Sequence, residues 1–330
     1  MNRSVRALGT GLAAAIVALA LLGPVLTRYE PGSQSADYVY APPMRPRLFH
    51  DGGVRWPFVY PLRLADRLER QYVEDRSRPT PIRFFREGRL LSVDRASGAE
   101  WFPLGSDALG RDQLTRLAWG ARYSLGVALL AALGALVIGT AIGGIAGASR
   151  GLLDDGLMRL SDFIVALPAL YVVLAFRATL PLSLTPTQVF CTIVIVLAAV
   201  GWPVTARVVR AIVAVEDRKE YAEAARALGA GRTQILLRHL LPAAAGSLAA
   251  QTTLLVPAFI LAESTLSFVG LGFGEPTPSW GGMLSDAGGG RMLLEAPWLM
   301  APALAIVLAT LSVNLITGRR PPIELRTTAR

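Results

Sequence analysis

Long apolar runs alternate with polar stretches along this chain, and the alternation predicts an all-α polytopic membrane protein. Apolar runs cover 7–27, 119–148, 159–180, 187–209, 242–262 and 298–317. Each is about 20 residues or longer, enough to cross a bilayer as a helix. About six transmembrane helices are therefore expected, with both termini on one side. Residues 28–118 break the pattern. They are polar, rich in Arg and Pro, and studded with aromatics, as in WPFVYPLRL. PIRFFREGRLLSV alternates around Glu87-Gly88 and reads as a hairpin. So many aromatics predict a small, ordered, partly β module rather than a disordered tail. A second polar stretch, 216–242, predicts two short helices broken by Gly229 and Gly231 and ending at Leu241-Pro242. A Gly- and Pro-rich loop covers 263–297, and a short tail covers 318–330.

The division expected from this pattern is 1–27, an N-terminal segment with the first span; 28–118, the module; 119–317, a five-helix core; and 318–330, the tail. The first span reads as uncleaved. Thr27-Arg28-Tyr29 follows it, and nothing resembles a small-residue cleavage site.

Charge adds the orientation. The chain carries a net +9, almost wholly from arginine, with Lys219 the single lysine. In so apolar a chain this reports membrane topology and contact with anionic lipid rather than nucleic acid. Arg3 and Arg6, then Arg207, Arg210, Arg218, Lys219, Arg226, Arg232 and Arg238, then Arg319, Arg320, Arg326 and Arg330 all fall on one side of the six-span arrangement. That side is expected to be cytoplasmic. The 28–118 module and the 263–297 loop then face outward.

Candidate chemistry is sparse. Cys191 is the only cysteine, so the chain forms no internal disulfide and no cysteine-based metal site. His50 and His239 are the only histidines. Gly9-Thr10-Gly11 loosely mimics a dinucleotide fingerprint but follows no strand. Gly147-Ala148-Ser149-Arg150-Gly151 matches G-x-S-x-G, yet follows a membrane helix instead of a strand, so a membrane-embedded serine hydrolase is a remote alternative. No phosphate-loop motif occurs. Ion-coupled carriers show repeats and deep ionisable residues; here no repeat is evident, and Asp162 and Arg177 lie near span ends. Work done by this chain is therefore expected to be driven by another polypeptide. Gly139, Gly143 and Gly147 recur every four residues in the second span. Such a strip suits close helix packing within the chain, or else a subunit interface or pore lining. The 216–242 island suits docking of a soluble partner; the plainer reading is a solvated interfacial helix pair.

Several motifs then go together. Glu223-Ala224-Ala225, three residues, Gly229, nine residues, and His239-x-Leu241-Pro242 resembles the EAA loop of membrane subunits of bacterial ABC importers. His239 stands where isoleucine is usual. LGSDALGRDQLTRLAWGARYSL (104–125) and AESTLSFVGLGFGEPTPSWGGML (262–284) are similar to segments of the dipeptide/oligopeptide/nickel permease family, and the order of elements resembles its second permease subunit. The resemblance covers about 7–27 and 101–317. It implies a non-catalytic, multi-pass subunit of a bacterial cytoplasmic membrane. Its implied partners are a homologous permease, two ATP-binding subunits that hold ATP and Mg, and an extracytoplasmic solute-binding protein. The implied cargo is a di- or oligopeptide, with nickel or another non-peptide solute as the alternative. By position, Glu220, Tyr221, Glu223, Ala224, Ala225, Leu228, Gly229, Leu241 and Pro242 are implied to form the ATPase-coupling element. The long 28–118 module suits docking of the binding protein or bracing of the partner permease. The tail GRRPPIELRTTAR departs from the family's usual ending.

Overall fold

The computed structural model describes residues 3–26, 29–50, 53–66, 70–86, 89–93, 100–149, 151–179, 181, 184–288 and 294–317. Among them, five helices are long and apolar enough to cross a membrane, or six if one bent pair counts as a span. The long helices are α1 (Arg3–Leu26), α2 (Gln113–Ala148), α5 (Pro186–Glu216), α8 (Ala245–Phe268) and α10 (Ala301–Thr317).

The third apolar run is not one straight helix. It forms α3 (Leu152–Ala166) and α4 (Ala169–Ala178), which meet at 80°. Pro168 causes the break. A residue before proline is pushed out of the helical region, and Leu167 is extended at φ −76, ψ 133. The chain turns back into α5 through a capping box, in which Thr185 and Gln188 satisfy each other's backbone N–H groups ahead of Pro186.

α2 and α5 form the spine of the bundle, and glycine sets their separation. A Cβ on Gly139 would lie 2.6 Å from Thr205 Cβ, one on Gly143 would lie 2.3 Å from the Ala206 carbonyl oxygen, and one on Gly147 would lie 2.7 Å from that of Arg210. The strip therefore lies against α5 of the same chain. Around this seam Ala128, Ala131, Ala135, Ile193, Leu197 and Phe259 are buried. α1 packs along α10: Gly9 sits beside Leu315, while Gly23 sits beside Ala118 at the start of α2. The N-terminal end of α1 and the C-terminal end of α10 thus lie together, remote from the start of α2.

The stretch before α2 is a partly β module. β1 (Arg47–His50), β2 (Gly53–Val59), β5 (Thr80–Arg86) and β6 (Arg89–Val93) form an antiparallel sheet in the order β1-β2-β5-β6. β3 (Leu62–Asp66) and β4 (Gln71–Glu74) form a separate antiparallel pair. β5 and β6 pair as a hairpin, with Arg86 opposite Arg89; the tip expected at Glu87-Gly88 lies outside the described residues. Met44, Val59, Ile82, Val93, Trp101 and Phe102 make a small core. Tyr29 stacks on Phe102 at 5.3 Å, and Trp101 Nε1 donates to the Met44 carbonyl. Each such ring contributes roughly 2–3 kcal/mol of burial.

Buried charge fastens this module to the bundle. Asp107, Arg111 and Arg116 are almost wholly inaccessible. The two guanidinium groups meet Asp107 and, across the fold, Glu275 and Asp286, the latter the last residue of α9 (Trp280–Asp286). α9 is itself pinned to α2, since Trp280 donates its backbone N–H to Ser124 Oγ and its Nε1–H to the Leu117 carbonyl.

Candidate functional site: the polar loop between α5 and α8

The loop is built outward from α5. Asp217 caps α5, and the chain turns at once into α6 (Glu220–Ala227). Glu216 holds that turn together: its carboxylate accepts from Lys219 Nζ at 2.8 Å and from the Tyr221 hydroxyl at 2.7 Å. Those two bonds draw the Glu216 carboxyl below its ordinary range. Tyr221 moves the other way, its hydroxyl pushed up to about 12 by burial and by the hydrogen bond to the Glu216 carboxylate. No side chain caps the N-terminus of α6, but Glu220 and Glu223 lie in its first turn. Acidic groups there are favoured by the exposed N–H groups and the helix dipole. Arg226 closes the ring by donating to the carboxylate and carbonyl of Asp217.

α6 is then reversed at a glycine. Gly229 has φ +86, in the left-handed region, and no atom lies within 4 Å of a Cβ placed on it. The constraint at Gly229 is therefore backbone conformation, not crowding. After Gly231 the chain forms α7 (Arg232–Ile235), widens into a π turn at Leu236–Leu240, tightens at Leu241–Ala244 and continues as α8. Pro242 explains the irregularity, because it lacks the N–H a regular helix needs at that position. The second helix of the island is thus continuous with the next span, and 232–268 is one long apolar element.

The residues singled out from sequence divide into two groups. Glu220, Tyr221, Glu223, Ala224, Leu228 and Gly229 are exposed, with Leu228 at 89 %. Ala225 and Leu241 are half-buried, and Pro242 is exposed. Ala222 is fully buried among Val209, Val213, Ile235, Leu240 and Ala244. One face of α6 is thus sealed to the bundle, and the other presents two carboxylates and a bare leucine. Leu241 reaches the bundle directly, its Cδ2 lying 3.3 Å from a Cβ position on Gly144. Gly139, Gly143 and Gly147 lie on the α2–α5 seam, and Gly147 is where that seam meets the root of the loop. His239 stands 6.3 Å from the Tyr221 ring, so the residue that departs from the usual isoleucine faces α6 across the hairpin.

Sequence reasoning passed over the groups that brace this loop. Arg210 makes a two-pronged bond to Asp154, at 3.0 and 2.6 Å, tying α5 to the first turn of α3. Arg207 pairs with Asp162 one turn further along. Glu216 and Lys219 were legible as an i, i+3 pair, whereas Arg210–Asp154 joins positions 56 apart and has no local signature. Between the α2–α3 turn and the loop lies a cleft of about 780 Å3, lined by Ser149, Leu153, Asp217, Arg226 and Arg232 among others. Ser149 caps a helix there and follows no strand.

The family described as binding-protein-dependent transport system inner membrane component matches residues 139–319, which include both the α2–α5 seam and the whole loop. The chain belongs to this family. Among relatives of this inner membrane component, the dipeptide transport system permease protein DppC of Bacillus subtilis is 39% identical over 222 residues, 67% of this chain and 66% of the relative. The oligopeptide transport system permease protein OppC of the same organism is 37% identical over 229 residues, 69% and 72% of the two chains. The di/tripeptide transport system permease protein DppC of Pseudomonas aeruginosa is 38% identical over 239 residues, 72% and 76%. As an inner membrane component, the chain is a multi-pass protein of a bacterial membrane. Its family is that of transport-system components.

Proposed function

We propose that this chain is the permease subunit of an ATP-driven importer of short peptides, with no catalytic activity of its own. Carrying the reading is the exposed face of α6, which is rigidly fastened at its root to α5 through Glu216, Asp217 and Ala222. A soluble ATPase that grips this face can move α5 and, through the glycine seam, α2. ATP and Mg belong to two such ATPases. A homologous permease completes the pathway, and an extracytoplasmic binding protein supplies the solute. Peptides are favoured as cargo because the relatives above are named for dipeptide, oligopeptide and di/tripeptide transport.

The loop end of the bundle is the cytoplasmic end in this reading. The arginines along α5 and the loop supply the charge bias, and α1 begins beside the end of α10, away from the module. The basic tail lies outside the described residues. The module faces outward, where it meets the binding protein or the partner permease.

Gly229→Asp tests the coupling role. The substitution places an ordinary side chain at φ +86, at a cost of about 1–2 kcal/mol in the local turn, without touching the bundle. The subunit is expected to insert and assemble while peptide uptake per ATP hydrolysed falls. Unchanged uptake would refute the assignment.

A further inference from the structure

The four-stranded sheet of the module leaves aromatic side chains open to solvent. Phe49 on β1 is 70% exposed and Trp56 on β2 is 65% exposed, while Phe84 and Phe85 on β5 stand at 43% and 81%. They belong to neighbouring strands, since β1 pairs with β2 and β2 with β5. Trp56 meets Phe84 edge-on at 6.2 Å. The Trp56 ring is also held from behind, its Nε1–H donating to the Ile82 carbonyl at 2.8 Å. The rings gather toward the end of the sheet where β1 gives way to β2 and β5 to β6. Toward the other end Val59, Ile82 and Val93 are buried in the module's core.

The backbone marks the same patch. Phe85 has φ +55, a conformation costly for a bulky residue and free for glycine. Strain of this kind persists where function requires it, and so exposed a ring gains little from packing inside the chain.

Charge and position say what covers the patch. Strands β1, β2, β5 and β6 carry Arg47, Arg55, Arg83, Arg86 and Arg89 and no acidic residue. The sequence between the strands of each hairpin adds Asp51 and Glu87, so five arginines less two carboxylates leave +3. β6 packs against α1, and its Val93 shares a core with Tyr29, just beyond the end of α1 at Leu26. Because α1 is long and apolar enough to cross the membrane, a strand beside its end lies at the level of the lipid headgroups. The other strands follow at about 4.8 Å spacing, which keeps the whole sheet within about 15 Å of β6.

We propose that the aromatic end of this sheet rests in the bilayer leaflet at that end of α1, with its rings among the upper acyl chains and its arginines on the phosphates of anionic lipid. Aromatic rings are favoured at that depth. Arginine can lay its stem along apolar surface while its head reaches phosphate, and basic residues near anionic lipid are drawn to it. The proposal depends on the chain's place in the membrane and not on its cargo. It gives the module a foothold in lipid, separate from the buried charges of Arg111 and Arg116 that join it to the bundle.

The test uses the assembled transporter with Phe49→Cys as the labelling site, in a Cys191→Ala background and with partner subunits free of cysteine. A polarity-sensitive fluorophore at position 49 is read in nanodiscs whose lipid carries a nitroxide on the upper acyl chain. In phosphatidylglycerol mixed with phosphatidylcholine, the nitroxide is expected to quench the label by about twofold or more, and clearly less in phosphatidylcholine alone. Phe85→Gly in the same background should weaken the quenching severalfold while the melting temperature stays equal or rises, because glycine relieves the turn at φ +55. A label that remains in water, unquenched in either lipid, overturns the proposal, as does quenching indifferent to phosphatidylglycerol. A lower melting temperature for Phe85→Gly would make the ring a packing group of the module and count against it equally. Shielding of the label only after the solute-binding protein is added would assign the patch to that protein and overturn the lipid contact.

Discussion

The guanidinium of Arg116 donates to the carboxylate of Asp286 at 3.0 Å across 170 positions of chain. With Arg111 and Asp107 it forms a buried charge cluster that joins the module, α2 and α9. The cluster also sets its own acidities. Burial raises Glu275, but Arg116 and Arg111 outweigh it and hold the carboxyl below its usual range. For Asp286 burial prevails over the same two cations, and the carboxyl is raised.

Arg116→Gln is expected to destabilise the assembled transporter by up to ~3 kcal/mol, because it leaves the buried Asp107 short of a countercharge. Asp286→Asn should cost no more than about 1 kcal/mol, since Asp286 is more accessible and its loss strands less charge. Thermal melting of the purified complex ranks the two, and an equal or larger loss for Asp286→Asn would contradict this arrangement.

Asp112 caps α2 by accepting from Thr115 N–H and Oγ, yet burial raises its carboxyl from 3.8 to about 6. A folded value above the unfolded one means that its contribution is full below the unfolded value and is lost as pH rises through the folded one. At pH 7.5 the ionised group therefore opposes folding. Asparagine caps helices as well as aspartate does. Asp112→Asn should melt at or above the wild type at pH 7.5, by up to about 3 kcal/mol, with the advantage shrinking as pH falls below about 6 and gone only below the unfolded value of 3.8. A variant that is less stable at pH 7.5 than at pH 5, relative to wild type, would be the wrong sign.

Gly143→Ala adds one methyl group where the Ala206 carbonyl oxygen would stand 2.3 Å away. Since backbone cannot step aside as a flexible side chain can, a loss of about 1–3 kcal/mol is expected, with reduced protein in the membrane. Gly156→Ala is the control. Nothing lies within 4 Å of that position, and alanine in a helix should leave stability equal or raise it by up to ~1 kcal/mol. Similar membrane levels for the two variants would remove the α2–α5 seam as an explanation.

Tyr221→Phe deletes the hydroxyl that ties α6 to Glu216. The pair is accessible, so the stability change should stay below about 1 kcal/mol. The functional effect should be larger, because the exposed face of α6 loses one of its links to α5. Peptide uptake per ATP hydrolysed is expected to fall severalfold while melting is nearly unchanged. A parallel fall in both would make Tyr221 merely structural.

Much of this architecture was legible in one dimension. Hydrophobic runs longer than a bilayer is thick leave little choice but a helix, because unpaired backbone groups cannot sit in lipid. The polar island between α5 and α8 was visible for the converse reason, and Gly229 because only glycine adopts its conformation without cost. Pro168 lay in plain view, but the 80° bend depended on what α3 and α4 pack against.

Tertiary structure alone decided which distant groups meet. Nothing in the sequence pairs Arg111 and Arg116 with Glu275 and Asp286, and only the fold brings each arginine within 3.3 Å of both carboxylates. Arg210 read as part of a charge bias, and only the packing of α3 on α5 gives it Asp154. Periodicity and length are properties of a segment and its solvent, so the chain carries them locally. A buried ion pair depends on the relative placement of two segments, and that is settled only when the whole bundle closes.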